Sequence, residues 1–191
     1  MRKVTVFNRI SVDGHFASLN EETFGMDWFV PDPEVDRAVR SGDGKVDTLL
    51  LGATTFAGFE RSWTPLLSDA NAPKELKAVA EELTRLNKIV FTSRRVHSDW
   101  ANTRFVADDP ADTVRKLKAS DGDGILIMGS GSIVRQLANE RLIDEFLLVV
   151  TPVVAGIGKP LFPDIGRLDL TLMRARSFAS GNVLLHYKLK G

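Results

Sequence analysis

The chain of 191 residues contains no cysteine. This excludes disulfides, thiolate nucleophiles, and zinc or iron–sulfur sites held by cysteine. Any redox chemistry would therefore need a bound cofactor. The absence also fits a reducing compartment, and we expect a cytoplasmic protein.

An excess of either charge is lacking as well, because Lys plus Arg and Asp plus Glu both total 25. No net field favours nucleic acid or an acidic membrane, so we expect neither as a partner. The first apolar run is interrupted by Asn8 and Arg9, which leaves it too short for a signal-peptide core or a membrane span. The composition, 43% hydrophobic and 26% charged, predicts one globular domain over residues 1–191.

Several catalytic motifs are missing. No P-loop is present, since Gly158-Lys159 is followed by Pro160 where Ser or Thr is required. No G-x-S-x-G elbow occurs, which argues against a serine hydrolase. The histidines, which are His15, His97 and His186, lack metal-ligand spacing, and we predict no metal site. His15, in the long first loop, is retained as a candidate substrate contact.

Strand and helix patterns alternate along most of the chain. Strands are predicted over residues 3–10, 46–52, 88–92, 104–107, 125–128 and 144–151. Helices are predicted from Asp32 or Pro33 to about Arg40, over 74–86 and 110–119, and from 132 onward, and residues 53–56 could start a further short helix. The helix over 33–40 is expected to stop at Ser41-Gly42-Asp43-Gly44, and residues 60–73 are predicted to be loop. Residues 168–178 and 182–190 predict an antiparallel hairpin. Together they predict an α/β protein with three layers, α/β/α, around a mainly parallel mixed sheet of about eight strands.

Three of the predicted strands end in small or hydroxyl residues, and ligands of such sheets bind at the carboxyl ends of the strands. These ends are Gly52 to Thr55, Thr92 to Arg94, and Gly129-Ser130-Gly131-Ser132. A helix start carries free N–H groups and partial positive charge, which suits a phosphate. Ser130 or Ser132 is expected to cap the last helix. The alternative is that these turns bind nothing and that Arg94 is a solvated charge.

Two acids flank the long loop after the first strand. Asp13 and Asp27 could protonate or orient a ligand if burial raised their pKa. Trp28 and Phe29 follow Asp27, and aromatic residues beside an acid suit a planar ligand. Asp13 as a turn residue before Gly14, and a loop anchored by core aromatics, explain the same pattern.

Several short motifs occur in a characteristic order. They are Ser11-Val12-Asp13-Gly14, Asp27-Trp28 with Pro31-Asp32-Pro33, Leu50 to Phe56, the Gly129-Ser130-Gly131 turn, Leu142 to Glu145, and Pro152 to Phe162. In this order the chain resembles the dihydrofolate-reductase-like superfamily. It is most similar to the C-terminal reductase domain of bacterial riboflavin-biosynthesis deaminase-reductases and its stand-alone relatives.

The resemblance implies an NADPH cofactor across the carboxyl ends of the sheet. It places the pyrophosphate on Gly52, Thr54, Thr55, Gly129, Ser130, Gly131 and Ser132, and the adenosine 2′-phosphate on Ser93 and Arg94. The nicotinamide is expected near Phe16 and Ala17. The implied substrate pocket is lined by Asn8, Ser11, Asp13, Asp27 and Trp28. Relatives pair through their sheets, so a homodimer is also implied.

The chain departs from the family pattern at Ala53, where relatives often carry an arginine that grips the cofactor phosphate. NADH therefore stays an alternative to NADPH, and Arg94 or Arg95 could compensate. The deaminase zinc motif, H-x-E with P-C-x-x-C, is absent, so we do not expect the aminouracil reductase of riboflavin biosynthesis itself. A folate substrate would want an acid in the first helix, where Asp36 is the candidate.

The sequence therefore predicts an NADPH-dependent reductase that transfers a hydride to a small heterocyclic, carbonyl or imine substrate, which includes pterin-like and pyrimidine-like molecules. Asp13 or Asp27 is the candidate proton donor or substrate orienter. One alternative is a non-catalytic nucleotide-binding or regulatory protein on the same fold, for which Ala53 is the motivating residue. Another is a structural dimeric domain whose turns bind nothing.

Overall fold

The computed structural model describes residues 1–41 and 44–191, so Gly42 and Asp43 of the predicted turn lie outside the described residues. The strands are β1 Val4–Ile10, β2 His15–Ala17, β3 Val46–Gly52, β4 Asn87–Phe91, β5 Thr103–Val106, β6 Gly124–Met128, β7 Glu145–Val150, β8 Lys159–Pro160, β9 Leu170–Ser177 and β10 Val183–Leu189. The helices are α1 Pro33–Arg40, α2 Ala53–Ser68, α3 Lys74–Arg85, α4 Pro110–Ala119 and α5 Gly131–Asn139.

The main sheet has eight strands in the order β5-β4-β3-β6-β1-β7-β10-β9. The six strands from β5 to β7 are parallel, and β10 and β9 add an antiparallel hairpin at one edge. This confirms the predicted mainly parallel mixed sheet. The carboxyl ends of β3, β6 and β1 are neighbours in its centre.

Helices cover both faces of the sheet, which confirms three layers. On one face α4 and α5 pack against β1 and β6 through residues such as Val114, Val134 and Ile127. On the other face α2 and α3 pack over β3 and β4, and α1 packs over β7 and β10. Successive side chains of β3 point to opposite faces of the sheet. Leu49 and Leu51 pack on the face that carries α2, and Leu50 packs on the face that carries α5.

The structure corrects two predictions of local structure. Residues 60–68 continue α2 instead of forming loop, because Trp63 packs with Phe56 in the apolar cluster under that helix, and Pro65 falls in the last turn. The second correction concerns the long first loop, where β2 pairs with β8 in a separate two-stranded sheet. Strands of three and two residues are too short to produce a periodic signal.

No helix in the described ranges combines the length and the apolar character that crossing a bilayer requires.

Candidate functional site

The turns after β3 and β6 are bonded to each other. The hydroxyl of Ser130 accepts a hydrogen bond from the Gly52 N–H at 2.5 Å and donates one to the Thr55 hydroxyl at 3.1 Å. The N–H of Gly129 donates to the side-chain oxygen of Asn8 at 3.0 Å. Two of the three predicted strand ends, together with the end of β1, thus form one site.

The glycines at this junction allow the turns to approach one another. Gly129 has a φ of +64°, and a Cβ there would lie 2.7 Å from Cγ2 of Thr55. A Cβ on Gly131 would lie 2.9 Å from the Phe16 ring, and one on Gly52 would lie 2.8 Å from the Ser130 hydroxyl. Bare N–H groups are predicted by the sequence at Gly129 and Gly131. For Gly129 this prediction is wrong, because its N–H donates to Asn8, and the N–H of Gly52 has an acceptor as well.

Free donors lie one step further on, in the first turns of α2 and α5. Ser130 is the N-cap residue of α5 in a left-handed conformation, but its side chain makes no cap bond, and Gly52, the N-cap residue of α2, makes none either. The backbone N–H groups of residues 53–55 and 131–132 donate to no acceptor within the described part of the chain. The expected serine cap is therefore replaced by two open helix starts, whose donors and dipoles suit an anion.

Exposed hydroxyls and one cation surround these donors. Thr54 and Ser132 are exposed, whereas the hydroxyls of Thr55 and Ser130 bond each other. Thr54, Ser132 and Lys159 of β8 line one cleft, and Lys159 forms no ion pair in the described ranges. Sequence reasoning missed its position, because only the pairing of β8 with Ala17 brings it to this place.

The third predicted strand end stays outside this junction. Ser93 and Arg94 are exposed beyond β4, and they are not among the residues that line the cleft. The Thr92 hydroxyl accepts from the Arg94 backbone N–H at 3.1 Å. The Arg94 guanidinium makes no ion pair to residues 1–41 or 44–191, so it is free to meet a ligand that extends across β3.

Asp13 is an anchor for two loops. Its carboxylate accepts from the Ser11 hydroxyl at 2.6 Å and from the backbone N–H groups of Ala155 and Gly156 at 3.0 and 2.8 Å. The Ser11 bond and these amides hold the pKa of Asp13 well below its usual range. Ser11 is fully buried, and its hydroxyl also accepts from the His15 N–H at 2.9 Å. The raised pKa that a proton donor requires is therefore absent at Asp13.

Asp27 shows the same pattern at the other end of the loop. It accepts hydrogen bonds from the hydroxyls of Ser18 and Thr23, and both bonds lower the pKa of this exposed carboxyl. These two bonds outweigh the smaller raising effect of burial, so the pKa of Asp27 is lowered overall, contrary to the condition set for a proton donor. Trp28 packs edge-on against Phe29 with ring centroids 4.5 Å apart. Its indole Nε1 is buried without a hydrogen-bond partner among the described residues.

On the face of the sheet that carries α1 and α2, a cleft opens between these two helices, over β6 and β1. Its floor is apolar: Phe7 of β1 stands in register with Met128 on one side and Leu147 on the other. At the carboxyl end of this floor, Arg9 donates to Asp36 of α1 at 2.5 Å. Sequence reasoning named Asp36 only as an acid of the first helix and missed Arg9. The available signal was a pair of consecutive polar residues, Asn8 and Arg9, inside an apolar strand.

The strand β1 joins the two parts of the site. Asn8 points to the α5 side, where its oxygen holds Gly129, and its Nδ2 is buried without a partner in the described chain. Arg9 points to the opposite face, into the cleft beside α1. Among the described residues, no three His, Asp or Glu side chains come together as a metal site would require.

This fold and site define a class: a doubly wound α/β protein with open helix starts at the point where the strand order changes direction. The sequence profile of the RibD C-terminal domain family matches residues 2–184, and the chain belongs to this family. The family relationship supports a reductase-type enzyme with the reductase fold of riboflavin-biosynthesis proteins.

Known relatives extend over the whole chain. The uncharacterized protein YyaP of Bacillus subtilis (strain 168) is 31% identical over 192 residues, which cover 100% of this chain and 96% of the relative. A putative riboflavin biosynthesis protein from Shewanella sp. PV-4 has the same fold, with a TM-score of 0.68, 20% identity and 99% coverage of both chains. A pyrimidine reductase-like protein from Corynebacterium diphtheriae has a TM-score of 0.63 at 14% identity, over 100% of this chain and 92% of that one.

Proposed function

We propose that the protein is an NADPH-dependent reductase that transfers a hydride to a small planar substrate with a C=N or C=O bond. The observation that carries this proposal is the joining, through β1, of two open helix starts to an apolar cleft. One side would take the phosphates of a dinucleotide, and the other would take a flat ring.

The residues at the helix starts fit a dinucleotide. The N–H groups of residues 53–55 and 131–132, the hydroxyls of Thr54 and Ser132, and Lys159 would hold the pyrophosphate. Asn8 Nδ2, which is buried and unpartnered, would gain an acceptor. Phe16 and Ala17 line the cleft where the nicotinamide is expected, and Ser93 and Arg94 are the candidates for the 2′-phosphate. When bound, a reduced nicotinamide supplies the hydride.

The chain's own residues then position the substrate and its proton. Phe7, Met128 and Leu147 exclude water from one face of the ring. Reduction adds one hydride to carbon and one proton to the nitrogen or oxygen, so C=N becomes CH–NH and C=O becomes CH–OH. Asp13 and Asp27 are ionised hydrogen-bond acceptors that hold the loop in place. The Asp36 side chain is 49% exposed, so water reaches this end of the cleft, and we assign delivery of the proton to that water.

The proposal is tested by incubating the protein with NADPH deuterated at the transferable position and a panel of cyclic imines, pterins, pyrimidinones and aldehydes. We expect NADPH oxidation with at least one of these classes and one deuterium on the reduced carbon of the product. Binding of NADPH without oxidation across the panel would favour the regulatory alternative. Absence of binding at millimolar NADPH or NADH would contradict both.

We also propose a homodimer. Strand β9 is an edge strand whose residues 171–177 are all exposed in the single chain, and Leu172 and Met173 are among them. An edge with exposed apolar side chains is a site where another chain can pair. Sedimentation should give twice the chain mass of 21.1 kDa, and a monomer mass would contradict the proposal.

A further inference from the structure

The short strand β8 brings Lys159 to the open start of α5. The carbonyl oxygen of the next residue, Pro160, lies 3.2 Å from the position that a Cβ of Gly131 would take. Lys159 and the first residues of α5 line the same cleft. A strand of two residues forms too few ladder bonds to hold its own position, so other contacts must fix β8 there.

The contacts that fix β8 begin at Asp13. In the loop that leads into β8, the backbone N–H groups of Ala155 and Gly156 donate to the Asp13 carboxylate at 3.0 and 2.8 Å. On the other side of β8, the Leu161 N–H donates to the carbonyl oxygen of Gly14 at 3.0 Å. Two consecutive residues after β1 therefore hold the chain both before and after β8.

Close packing at Gly158 completes this attachment. A Cβ at Gly158 would lie 2.8 Å from the carbonyl oxygen of Ala17 and 3.1 Å from Cδ2 of His15, so the approach of β8 to β2 requires glycine here. Lys159, the next residue, pairs with Ala17 in the two-stranded sheet. The position of Lys159 is thus set by contacts to the segment after β1.

We infer that Asp13 is a positioning residue for the cofactor: its carboxylate holds the loop before β8 and so keeps Lys159 where a pyrophosphate would bind. This inference rests on the proposed function, because it concerns the same site. Asp13 is not among the described residues that line the cleft, so it acts through Lys159 and not on the ligand. Its lowered pKa agrees with this role, since an ionised carboxylate can accept from Ser11 and both loop amides at once.

Lys159 supplies a charge that the two open helix starts do not have. Residues 53–55 and 131–132 offer N–H donors and partial positive charge, but none of their side chains is charged. An ammonium group that reaches a phosphate oxygen adds a charge-assisted hydrogen bond. A displaced β8 would lose this bond even though Lys159 itself is still present. The position of the lysine therefore matters as much as its identity.

The test is a double-mutant cycle on NADPH binding to the full chain, measured by calorimetry. We expect Lys159→Met to weaken NADPH binding about tenfold or more, since a charge-assisted contact is lost. Asp13→Asn keeps the size of the side chain, but its amide nitrogen cannot accept a hydrogen bond, and it should weaken binding about three- to tenfold. In the Lys159→Met background, Asp13→Asn should change the affinity by less than about twofold.

A second ligand and a matched variant separate positioning from a general loss of folding. Adenosine 2′-phosphate lacks the pyrophosphate, so Asp13→Asn should not change its affinity. Asp109→Asn is the matched variant, because Asp109 also accepts from two backbone N–H groups but lies at the start of α4. It should leave NADPH affinity unchanged.

Equal losses of NADPH affinity from Asp13→Asn in both backgrounds, or an equal loss for adenosine 2′-phosphate, would overturn the inference. Either result would show that Asp13 only stabilises the fold. If Asp13→Asn does not fold, Gly158→Ala takes its place, because the added Cβ forces β8 away from Ala17. Its effect on NADPH binding must likewise disappear in the Lys159→Met background.

Titration with inorganic pyrophosphate distinguishes this inference from the proposed function. NADPH binding that Asp13→Asn leaves unchanged contradicts the inference and leaves the reductase proposal standing. Pyrophosphate binding that depends on Asp13 and Lys159, without binding of NADPH or NADH, supports the inference and contradicts the reductase proposal. A native chain that binds none of these ligands contradicts both.

Discussion

Two pairs of helices begin at the carboxyl edge of the sheet, and they begin differently. In α1 and α4, Asp32 and Asp109 act as N-caps, each accepting from two backbone N–H groups, and a proline follows each cap. In α2 and α5, glycine or a left-handed serine stands at the cap and makes no side-chain bond there. The starts of α1 and α4 are therefore bonded within the chain, whereas the first N–H groups of α2 and α5 have no acceptor among the described residues.

The position of the open pair follows from the topology. Strands β3 and β6 are neighbours, but α2 packs on one face of the sheet and α5 on the other. A crevice forms where two such connections diverge. An aspartate cap in this crevice would place negative charge where a phosphate is expected. Without such a cap, α2 and α5 lack the stabilisation of about 1 kcal/mol that a capping side chain gives.

The largest expected effect is at the junction of the two open turns. Gly129→Ala should lower the free energy of unfolding by about 2–4 kcal/mol, since it adds a clash with Thr55 to the strain of a positive φ. Gly14→Ala is the matched control, because Gly14 also has a positive φ but open space around it, and it should lose only about 1–2 kcal/mol. Urea denaturation measures both. Equal losses would show that backbone strain alone explains Gly129.

The next effect is expected at the C-terminal end of a helix, α3. Lys88 is buried, and its Nζ donates to the carbonyl oxygens of Leu83, Thr84 and Leu86 at the end of α3. Burial lowers the pKa of Lys88 from 10.5 to about 8. Between these values the unfolded chain binds the proton and the folded chain does not, so stability rises with pH by about 1 kcal/mol per pH unit.

This pH dependence is isolated by comparison with Lys88→Met, whose stability lacks the contribution of that proton. The difference in unfolding free energy between the two proteins should increase in favour of the native chain from pH 8 to about pH 10. A difference that stays flat or falls would show that Lys88 keeps its proton in the folded state.

A smaller effect on stability tests whether the open start of α5 binds a phosphate. Ser132→Asp should raise stability by about 0.3–1 kcal/mol, because the acid interacts favourably with the start of α5. The same charge should weaken NADPH binding about tenfold or more by repelling the pyrophosphate. Ser132→Asn has similar size without charge and should do neither. Thermal unfolding and calorimetry provide the two readouts, and a parallel change in stability and affinity would contradict the comparison.

The smallest effect on NADPH affinity, no change, is expected at a capped helix. Asp109→Ala removes the acceptor for the N–H groups of Ala111 and Asp112 and should lower stability by about 1 kcal/mol. NADPH affinity should not change, because α4 completes its bonding within the chain. A loss of affinity would show that the capped helix start also takes part in binding.

The sequence predicted local structure well where a single residue type determines it. The helix predicted from Asp32 or Pro33 to about Arg40 is confirmed as Pro33–Arg40, since Asp32 caps it and Pro33 can occupy the first turn. The length of α2 was harder to predict, because Pro65 and the polar residues after it favoured a loop. The apolar packing of Trp63 and Phe56 overrides that local preference.

The site was predictable only in part, because its bonds join distant segments. The turns at Gly52 and Gly129 were recognised, but the bond between Ser130 and Gly52 needs the pairing of β3 with β6. The anchoring role of Asp13 depends on the amides of Ala155 and Gly156, and the Arg9–Asp36 pair depends on how α1 docks. None of these contacts leaves a local pattern in the sequence.

Amide hydrogen exchange with and without NADPH tests most directly whether the open helix starts bind the cofactor. NADPH should slow exchange at residues 53–55 and 131–132, the open starts of α2 and α5. Exchange should not change at residues 34–35 and 111–112, whose N–H groups are bonded to Asp32 and Asp109. Protection of the capped starts instead, or no protection at the open starts when NADPH is saturating, would show that the open starts do not hold the cofactor.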